Sequence, residues 1–198
     1  MTDYFAEALE RVPVLAILRG LSAASAVAAA EQAWRAGIPL VEVSLSGEDA
    51  FESLEAVCRR GQEVGRAAGA GTVLTPDQVA AAEDAGAAFA VAPGLDREAV
   101  AAAQARGLPY LPGVATPSEV QLALALGCRT LKLFPASVLG VDWLRSLAGP
   151  FPTVRFVAVG GVDARNASDW MAAGSLGVGV GSALAGPALQ QLVAAVAR

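Results

Sequence analysis

The chain has 198 residues and contains no histidine, two cysteines and one lysine. The missing histidine excludes Ser-His-Asp and Cys-His catalysis, histidine-ligated metals and histidine proton shuttles. Cys58 and Cys128 stand alone, so they predict neither a zinc site nor a disulfide framework. A single bridge between them is the alternative, but a reducing cytosol opposes it. We therefore expect two buried structural thiols.

Positive charge and long apolar runs are also scarce. The chain has 14 basic and 19 acidic residues. The resulting net charge of -5 argues against a nucleic-acid groove. No apolar run reaches the roughly 18 residues of a membrane span without a charge or a Gly or Pro break. Residues 1–11 carry acidic side chains and lack the pattern of a signal peptide. We expect a cytoplasmic protein with no nucleic-acid or membrane partner.

The single lysine, Lys132, lies in the apolar segment 130–135, whereas every other basic residue is arginine. The ordinary interpretation is a lysine whose amine extends to the surface. Apolar neighbours on both sides instead indicate a strand buried on both faces. Burial lowers the pKa of an amine, and a neutral amine attacks carbonyl groups to form a Schiff base. We therefore predict that Lys132 is a catalytic nucleophile.

Short apolar segments alternate with Ala-rich amphipathic segments along the whole chain. Ser22, Thr75, Thr116 and Asp163 are typical N-caps of the helices that this alternation predicts. The apolar segments predict strands at residues 14–18, 40–45, 67–73, 89–92, 110–114, 130–134, 155–159 and 176–181. The amphipathic segments predict helices at residues 23–36, 48–60, 76–85, 97–106, 117–126, 141–148, 164–173 and 187–197.

Eight such units in this order predict an α/β fold, a (β/α)₈ TIM barrel, as a single domain over residues 1–198. The alternative, an open doubly wound sheet, needs a G-x-G-x-x-G turn after the first strand. Residues 19–22, Arg-Gly-Leu-Ser, do not fit that turn. In a barrel the active site lies at the carboxyl ends of the strands, and the unusual residues of this chain collect there.

Glu42 interrupts the second apolar strand between Val41 and Val43. One interpretation is a structural ion pair with an arginine such as Arg19. Beside a buried lysine, however, a partly buried carboxylate serves as a proton shuttle. Since the chain has no histidine, Glu42 is the strongest remaining candidate for the general acid/base.

Two glycine-containing turns follow the seventh and eighth predicted strands, at Gly160-Gly161 and Gly181-Ser182. Glycine allows close approach to the backbone, and N–H groups at helix starts bind anions. The loops after strands 7 and 8 are the recurrent phosphate site of TIM barrels. A Gly-Gly pair alone also fits a tight turn, but glycines at both strand ends together predict a phosphate pocket.

Six segments carry a family resemblance. They are Ala16-Ile17-Leu18-Arg19-Gly20, Val41-Glu42-Val43-Ser44-Leu45, Gly69-Ala70-Gly71-Thr72-Val73-Leu74, Leu131-Lys132-Leu133-Phe134-Pro135, Val159-Gly160-Gly161-Val162 and Val178-Gly179-Val180-Gly181-Ser182-Ala183-Leu184. Together, over residues 14–184, they resemble the 2-keto-3-deoxy-6-phosphogluconate (KDPG) aldolases. That family includes the 6-phosphogalactonate (KDPGal) and 4-hydroxy-2-oxoglutarate (KHG) aldolases.

The resemblance implies a class I aldolase that needs no metal and no cofactor and is usually a homotrimer. It implies a phosphorylated 2-keto acid as the substrate, cleaved to pyruvate and glyceraldehyde 3-phosphate. Lys132 then corresponds to the Schiff-base lysine and Glu42 to the general acid/base. The implied substrate-binding residues are Arg19 and Thr72 for the carboxylate, Pro93 and Phe134 for the pyruvate wall, and Gly160, Gly161, Gly181 and Ser182 for the phosphate.

Two positions depart from the pattern of the gluconate-cleaving members. Those enzymes often have arginine where this chain has Ser46, so Arg19 is expected to supply the guanidinium. They also have threonine before the Gly-Gly pair, where Val159 resembles the galactonate branch. We therefore expect cleavage of KDPG, of its galactonate epimer, or of both.

Other functions stay open at this point. One is KHG cleavage as the main activity. Another is a barrel that binds phosphate without aldol chemistry, such as a phosphosugar isomerase, a thiamine-phosphate-synthase-like enzyme or a non-catalytic protein. A metal-dependent class II aldolase is opposed by the absence of histidine.

Overall fold

The computed structural model describes residues 3–47, 49–181 and 187–197. None of the helices within these ranges is long and apolar enough to cross a membrane. The strands are β1 (Val14–Leu18), β2 (Leu40–Ser44), β3 (Ala67–Gly71), β4 (Ala90–Val91), β5 (Tyr110–Leu111), β6 (Gly113–Val114), β7 (Thr130–Leu133), β8 (Arg155–Val159) and β9 (Gly177–Val180). The helices are α1 (Tyr4–Ala8), α2 (Ala23–Arg35), α3 (Ala50–Glu63), α4 (Pro76–Asp84), α5 (Arg97–Arg106), α6 (Pro117–Ala125), α7 (Ala136–Leu139), α8 (Val141–Leu147), α9 (Ala167–Ala172) and α10 (Pro187–Val196).

The strands form one parallel sheet in the order β5-β4-β3-β2-β1-β9-β8-β7-β6. Its two end strands, β5 and β6, are separated in the chain by Pro112 alone. The ends of the sheet therefore meet, and the sheet curls into a nearly closed α/β barrel. This agrees with the alternating pattern of the sequence.

The predicted strand at residues 110–114 differs from the observed one, because it is divided into β5 and β6. The described residues consequently hold nine strands where eight were expected. Proline has no N–H to donate to a strand ladder, so pairing is interrupted at Pro112. The Pro112 carbonyl still accepts a hydrogen bond from the Lys132 N–H at 2.8 Å, and the Gly113 N–H donates to the Gly94 carbonyl at 3.0 Å.

Side chains alternate between the two faces of each strand. The residues on either side of Glu42 pack in the cluster between the sheet and the helices, and so do those on either side of Lys132. Glu42 and Lys132 therefore both face the barrel interior. The apolar residues that line this interior include Leu15, Ile17 and Val157.

Helix α1, which the sequence analysis did not predict, closes the amino end of the barrel. Phe5 packs edge to face on Phe89, with ring centres 5.8 Å apart. Asp3 caps α1 and accepts hydrogen bonds from the first residues of two strands, Thr130 of β7 and Arg155 of β8. The opposite, carboxyl end of the barrel is thus the open one.

Three of the four predicted N-caps are confirmed. The side chains of Ser22, Thr75 and Thr116 accept hydrogen bonds at the starts of α2, α4 and α6. The prediction for Asp163 was wrong, because α9 begins later, at Ala167. The Asp163 carboxylate instead accepts from the Arg165 N–H at 2.8 Å, and this local turn competes with the helix.

Both cysteines are free thiols. Cys58 is buried as predicted, and burial raises its pKa to about 12. Cys128 is only half-buried, so the expectation of full burial was wrong for this residue. Burial raises the pKa of Cys128 as well, and both thiols therefore stay protonated near neutral pH.

Candidate active site

Lys132 is enclosed inside the barrel, with 4% of its surface exposed. On β7 it pairs with Gly113 of β6 and with Val157 of β8. Its amine nitrogen, Nζ, lies 5.0 Å from the centre of the Phe134 ring. The lysine therefore does not extend to the outer surface, and the prediction that it is buried is confirmed.

This enclosure lowers the pKa of the Lys132 amine below its ordinary value. The largest cause is the loss of hydration, because a charged ammonium group is poorly stabilised among apolar side chains. The Glu42 carboxyl opposes this effect, and the positive charge of Arg19 adds to it. The lowered pKa increases the fraction of neutral amine, which is the nucleophilic form.

Glu42, on β2, is only 2% exposed. Its Oε2 is a buried oxygen without a hydrogen-bond partner among the residues that the structure describes. The ion pairs formed by those residues do not include one between Glu42 and Arg19, so the structural ion-pair interpretation is wrong. Burial raises the pKa of Glu42, while Lys132 and Arg19 act in the opposite direction. The carboxyl group is thus suited to both accepting and releasing a proton.

Gly71 at the end of β3 provides the space for the Glu42 carboxyl. A Cβ atom at Gly71 would lie 2.6 Å from Glu42 Oε1. Any larger residue would displace the carboxyl group. The sequence places Gly71 at a strand end, but its steric role depends on the neighbouring strand and is visible only in the fold.

A cavity of about 770 Å³ opens at the carboxyl end of the barrel and reaches Lys132. In the described part of the chain, no three His, Cys, Asp or Glu side chains are grouped so that they could hold a metal ion. Ile17, Val159 and Gly179 also line the cavity, although the sequence did not mark Ile17 or Gly179 as site residues. The predicted site residues that line it are Arg19, Lys132, Phe134, Gly160, Gly161 and Gly181.

Gly160 and Gly161 both have positive φ angles, +97° and +76°. A Cβ at Gly160 would lie 3.1 Å from the Phe134 ring, and one at Gly161 would lie 2.5 Å from the Ser137 side chain. Glycine is required here both by the backbone conformation and by the close approach of α7. The result is an exposed stretch of backbone in the cavity wall.

Glu42 and two other predicted residues, Thr72 and Pro93, are not among those that line this cavity. The Thr72 hydroxyl, directly after β3, is 2.8 Å from the Ser44 hydroxyl. Pro93 approaches β6 so closely that a Cβ at Gly113 would lie 2.2 Å from the Pro93 carbonyl oxygen. Ser182 lies outside the described residues.

Ser44 is a polar residue that the sequence analysis did not assign to the site. It is buried on the same strand as Glu42, two residues further along, and so shares its inward face. That spacing was the available signal. A serine in a strand is too common to be singled out by sequence alone.

The sequence profile of the KDPG and KHG aldolase family matches residues 5–194. The chain therefore belongs to this aldolase family, which consists of carbon–carbon lyases. The family resemblance drawn from the motifs is confirmed.

Individual relatives agree with this assignment. The chain is 37% identical to the KHG/KDPG aldolase of Escherichia coli K12 over 161 residues, 81% of this chain and 75% of the relative. It is 36% identical to the 2-dehydro-3-deoxy-6-phosphogalactonate aldolase of the same organism over 177 residues, 88% and 85% of the two chains. It is also similar to the solved KDPG aldolase of Legionella pneumophila, which holds pyruvate as a covalent carbinolamine. The identity is 30%, the TM-score 0.85, and the match covers 98% of each chain.

Proposed function

We propose that this chain is a class I, Schiff-base aldolase that cleaves KDPG, its galactonate epimer, or both, to pyruvate and glyceraldehyde 3-phosphate. The observation that carries the proposal is the single lysine enclosed inside the barrel near a buried carboxyl group. The carbinolamine held by the Legionella relative supports the same chemistry for this chain.

The reaction begins when the neutral amine of Lys132 attacks C2 of the 2-keto acid and forms a carbinolamine. Loss of water gives an iminium ion, which accepts the electron pair of the C3–C4 bond as that bond breaks. Glu42, directly or through a water, moves the protons of the carbinolamine step and takes the C4 hydroxyl proton during cleavage. Protonation of the resulting enamine at C3 and hydrolysis release pyruvate and regenerate the amine. No cofactor and no metal enter these steps.

The pyruvate half of the substrate is held by two polar and two apolar residues. Arg19 binds the carboxylate, since its planar guanidinium can donate two hydrogen bonds at once, and the Thr72 hydroxyl assists. Phe134 and Pro93 form the wall beside the reacting carbons. The position of Arg19 in the wall of the cavity that reaches Lys132 supports this assignment.

The phosphate is held by the turns after β8 and β9. Gly160, Gly161 and Gly181 expose backbone in the cavity wall, which suits an anion. We include Ser182 on the strength of the sequence motif.

Two residues support relaxed selectivity between the C4 epimers. Val159 lines the cavity and has no hydroxyl with which to bind a substrate hydroxyl. Ser46 stands where the gluconate-cleaving members often have arginine, so Arg19 supplies the guanidinium that binds the carboxylate. KHG cleavage is a second candidate activity of this chain, because the similar E. coli protein is named KHG/KDPG aldolase.

We further propose that β5 and β6 are halves of one strand, so that the barrel is a single-domain (β/α)₈ TIM barrel. The proposed assembly is a homotrimer, which sedimentation equilibrium would report as three times the 19.9 kDa chain mass. The proposed location is the cytoplasm, in agreement with two free thiols.

A cleavage assay with KDPG, its galactonate epimer and KHG tests the proposed function. Wild type should release pyruvate from at least one of the phosphorylated substrates and should be insensitive to EDTA. Lys132→Arg should be inactive, because a guanidinium stays protonated and cannot form the imine. Equal activity of wild type and Lys132→Arg would contradict the proposal, whereas cleavage of KHG alone would favour the second candidate.

A further inference from the structure

Three hydroxyl groups form a chain centred on Ser44, on the strand that carries Glu42. The Ser44 hydroxyl oxygen lies 3.0 Å from that of Ser46 and 2.8 Å from that of Thr72. Ser44 is 2% exposed, whereas Ser46 is exposed and Thr72 is half-buried. The buried hydroxyl of Ser44 therefore links a hydroxyl at the surface to one in the turn after β3.

Thr72 has an unusual backbone conformation. Its φ angle is +61°, and it is the one non-glycine residue with positive φ in the described part of the chain. A β-branched residue is strained in this region, and such strain persists only where the surroundings hold it. The Ser44 hydrogen bond holds the Thr72 side chain, and a bond of 3.1 Å from the Val73 N–H to the Val91 carbonyl holds the next residue.

The number of hydroxyl protons fixes the direction of donation along the three hydroxyl groups. A hydroxyl has one proton, so Ser44 can donate to only one of its two hydroxyl neighbours. If Thr72 donates its proton to an anion, its oxygen accepts from Ser44, and Ser44 accepts from Ser46. All three O–H groups then point the same way, and each polarises the next.

Ser44 and Ser46 also line a second cavity, of about 220 Å³. Leu18 and Leu21 line both this cavity and the one that reaches Lys132. The cavity beside Ser44 and Ser46 thus adjoins the one that reaches Lys132, and Thr72, at the other end of the hydroxyl chain, is the proposed ligand of the carboxylate. A row of hydroxyl groups that ends at Thr72 is suited to orienting a substrate group.

We propose that Ser44 is a positioning residue that donates to Thr72 and thereby directs the Thr72 proton at the carboxylate of the 2-keto acid. Ser46 is the first donor of the chain. The inference rests on the proposed function, since it requires pyruvate to bind as an imine of Lys132.

The test is the pyruvate concentration that gives half-maximal trapping of the imine by cyanoborohydride. Ser44→Ala should raise this concentration about fivefold, on the scale of one hydrogen bond, and leave the maximal trapping rate near that of wild type. Ser44→Thr keeps the hydroxyl and should restore wild-type behaviour. Ser53→Ala is the matched control, because the Ser53 hydroxyl lies in the same cavity wall but donates to the Leu21 carbonyl.

Two further measurements separate positioning from general structural damage. Ser44→Ala should add little to the effect of Thr72→Val, since Ser44 acts only through the Thr72 hydroxyl that Thr72→Val has already removed. It should also leave half-saturation by hydroxyacetone unchanged, because that ketone has no carboxylate. Ser46→Ala, at an exposed position, should raise the half-saturating pyruvate concentration about twofold and tests the chain independently if Ser44→Ala fails to fold.

Wild-type half-saturation by pyruvate in both Ser44→Ala and Ser46→Ala would overturn the inference alone and leave the proposed function intact. An equal effect of Ser44→Ala on pyruvate and on hydroxyacetone would overturn it as well. Failure of pyruvate to be trapped on the wild-type enzyme would overturn the proposed function and this inference together.

Discussion

At the scale of single residues, the site depends on two ionisable groups that burial shifts in opposite directions. Burial lowers the pKa of Lys132 and raises that of Glu42, so the two values approach each other. Two groups whose pKa values are shifted toward each other are better matched for the proton transfers of imine formation and aldol cleavage. Burying the Lys132 amine and the Glu42 carboxyl also removes their hydration, which lowers the stability of the folded protein.

Replacing Glu42 by Gln should reduce turnover roughly 10²- to 10⁴-fold, the usual contribution of a general acid–base group. Gln has nearly the same shape but cannot accept the C4 hydroxyl proton. Imine trapping with pyruvate should be slower but still measurable, because the Lys132 nucleophile remains. Steady-state cleavage and trapping rates together check this, and near-wild-type turnover would show that Glu42 is structural.

Replacing Val159 by Thr should shift the ratio of kcat/KM values toward the gluconate epimer by about 0.5–1.5 kcal/mol, the value of one hydrogen bond. The reason is that a hydroxyl at this point of the cavity wall can bind the C4 hydroxyl of one epimer. Val157→Thr is the matched control, because Val157 faces the same interior two residues further from the open end. A large gluconate preference of the wild type that Val159→Thr leaves unchanged would show that this position does not set selectivity.

The sequence reveals the proposed catalytic pair, Lys132 and Glu42, more readily than the residues around it. Lys132 and Glu42 stand out because charged residues interrupt apolar strands. Ser44 gives no comparable signal, and Thr72 is β-branched, which favours extended backbone over its observed φ of +61°. Their contact joins β2 to the turn after β3, so it depends on the register between strands.

At the scale of elements, periodicity predicted the longer strands and helices to within a few residues. Two short helices, α1 and α7, were missed, because five and four residues contain too few positions to show a helical period. The division of the strand at Pro112 was also missed, although proline in a buried strand is a known interruption. Local patterns thus predict long elements well, whereas the short elements depend on contacts between residues that are distant in sequence.

Replacing Phe5 by Ala should lower the free energy of unfolding by about 3–5 kcal/mol, because it leaves a cavity at the closed end of the barrel. Phe5 is buried against Phe89, far from the open end of the barrel. Under conditions in which Phe5→Ala is folded, it should therefore still form the trapped imine with pyruvate. Urea unfolding measures the change. Phe51→Ala, at an exposed phenylalanine, should cost less than about 0.5 kcal/mol. Equal effects of the two substitutions would show that the packing of α1 over the amino end of the barrel does not stabilise the fold.

At the scale of the whole molecule, Lys132 should make stability depend on pH. Its folded-state pKa is below the unfolded value of about 10.4, so the unfolded chain binds more protons between the two values. Stability therefore rises with pH across this window, and the penalty from Lys132 is full below the folded-state pKa.

We expect Lys132→Met to stabilise the protein near pH 7 and to lose this advantage as pH rises toward about 10. Urea unfolding of Glu42→Gln with and without Lys132→Met isolates the effect, since the carboxyl is then absent from both proteins. A stability difference that stays constant or grows with pH would show that the amine is not depressed in pKa.

The most direct test of the whole account is borohydride reduction of the enzyme in the presence of pyruvate, followed by peptide mapping. Pyruvate should become irreversibly attached to one side chain, Lys132, because the chain has no other lysine. Activity should be lost in proportion to the adduct. An adduct found only on the N-terminal amine, or full activity after complete reduction, would contradict Schiff-base catalysis by Lys132.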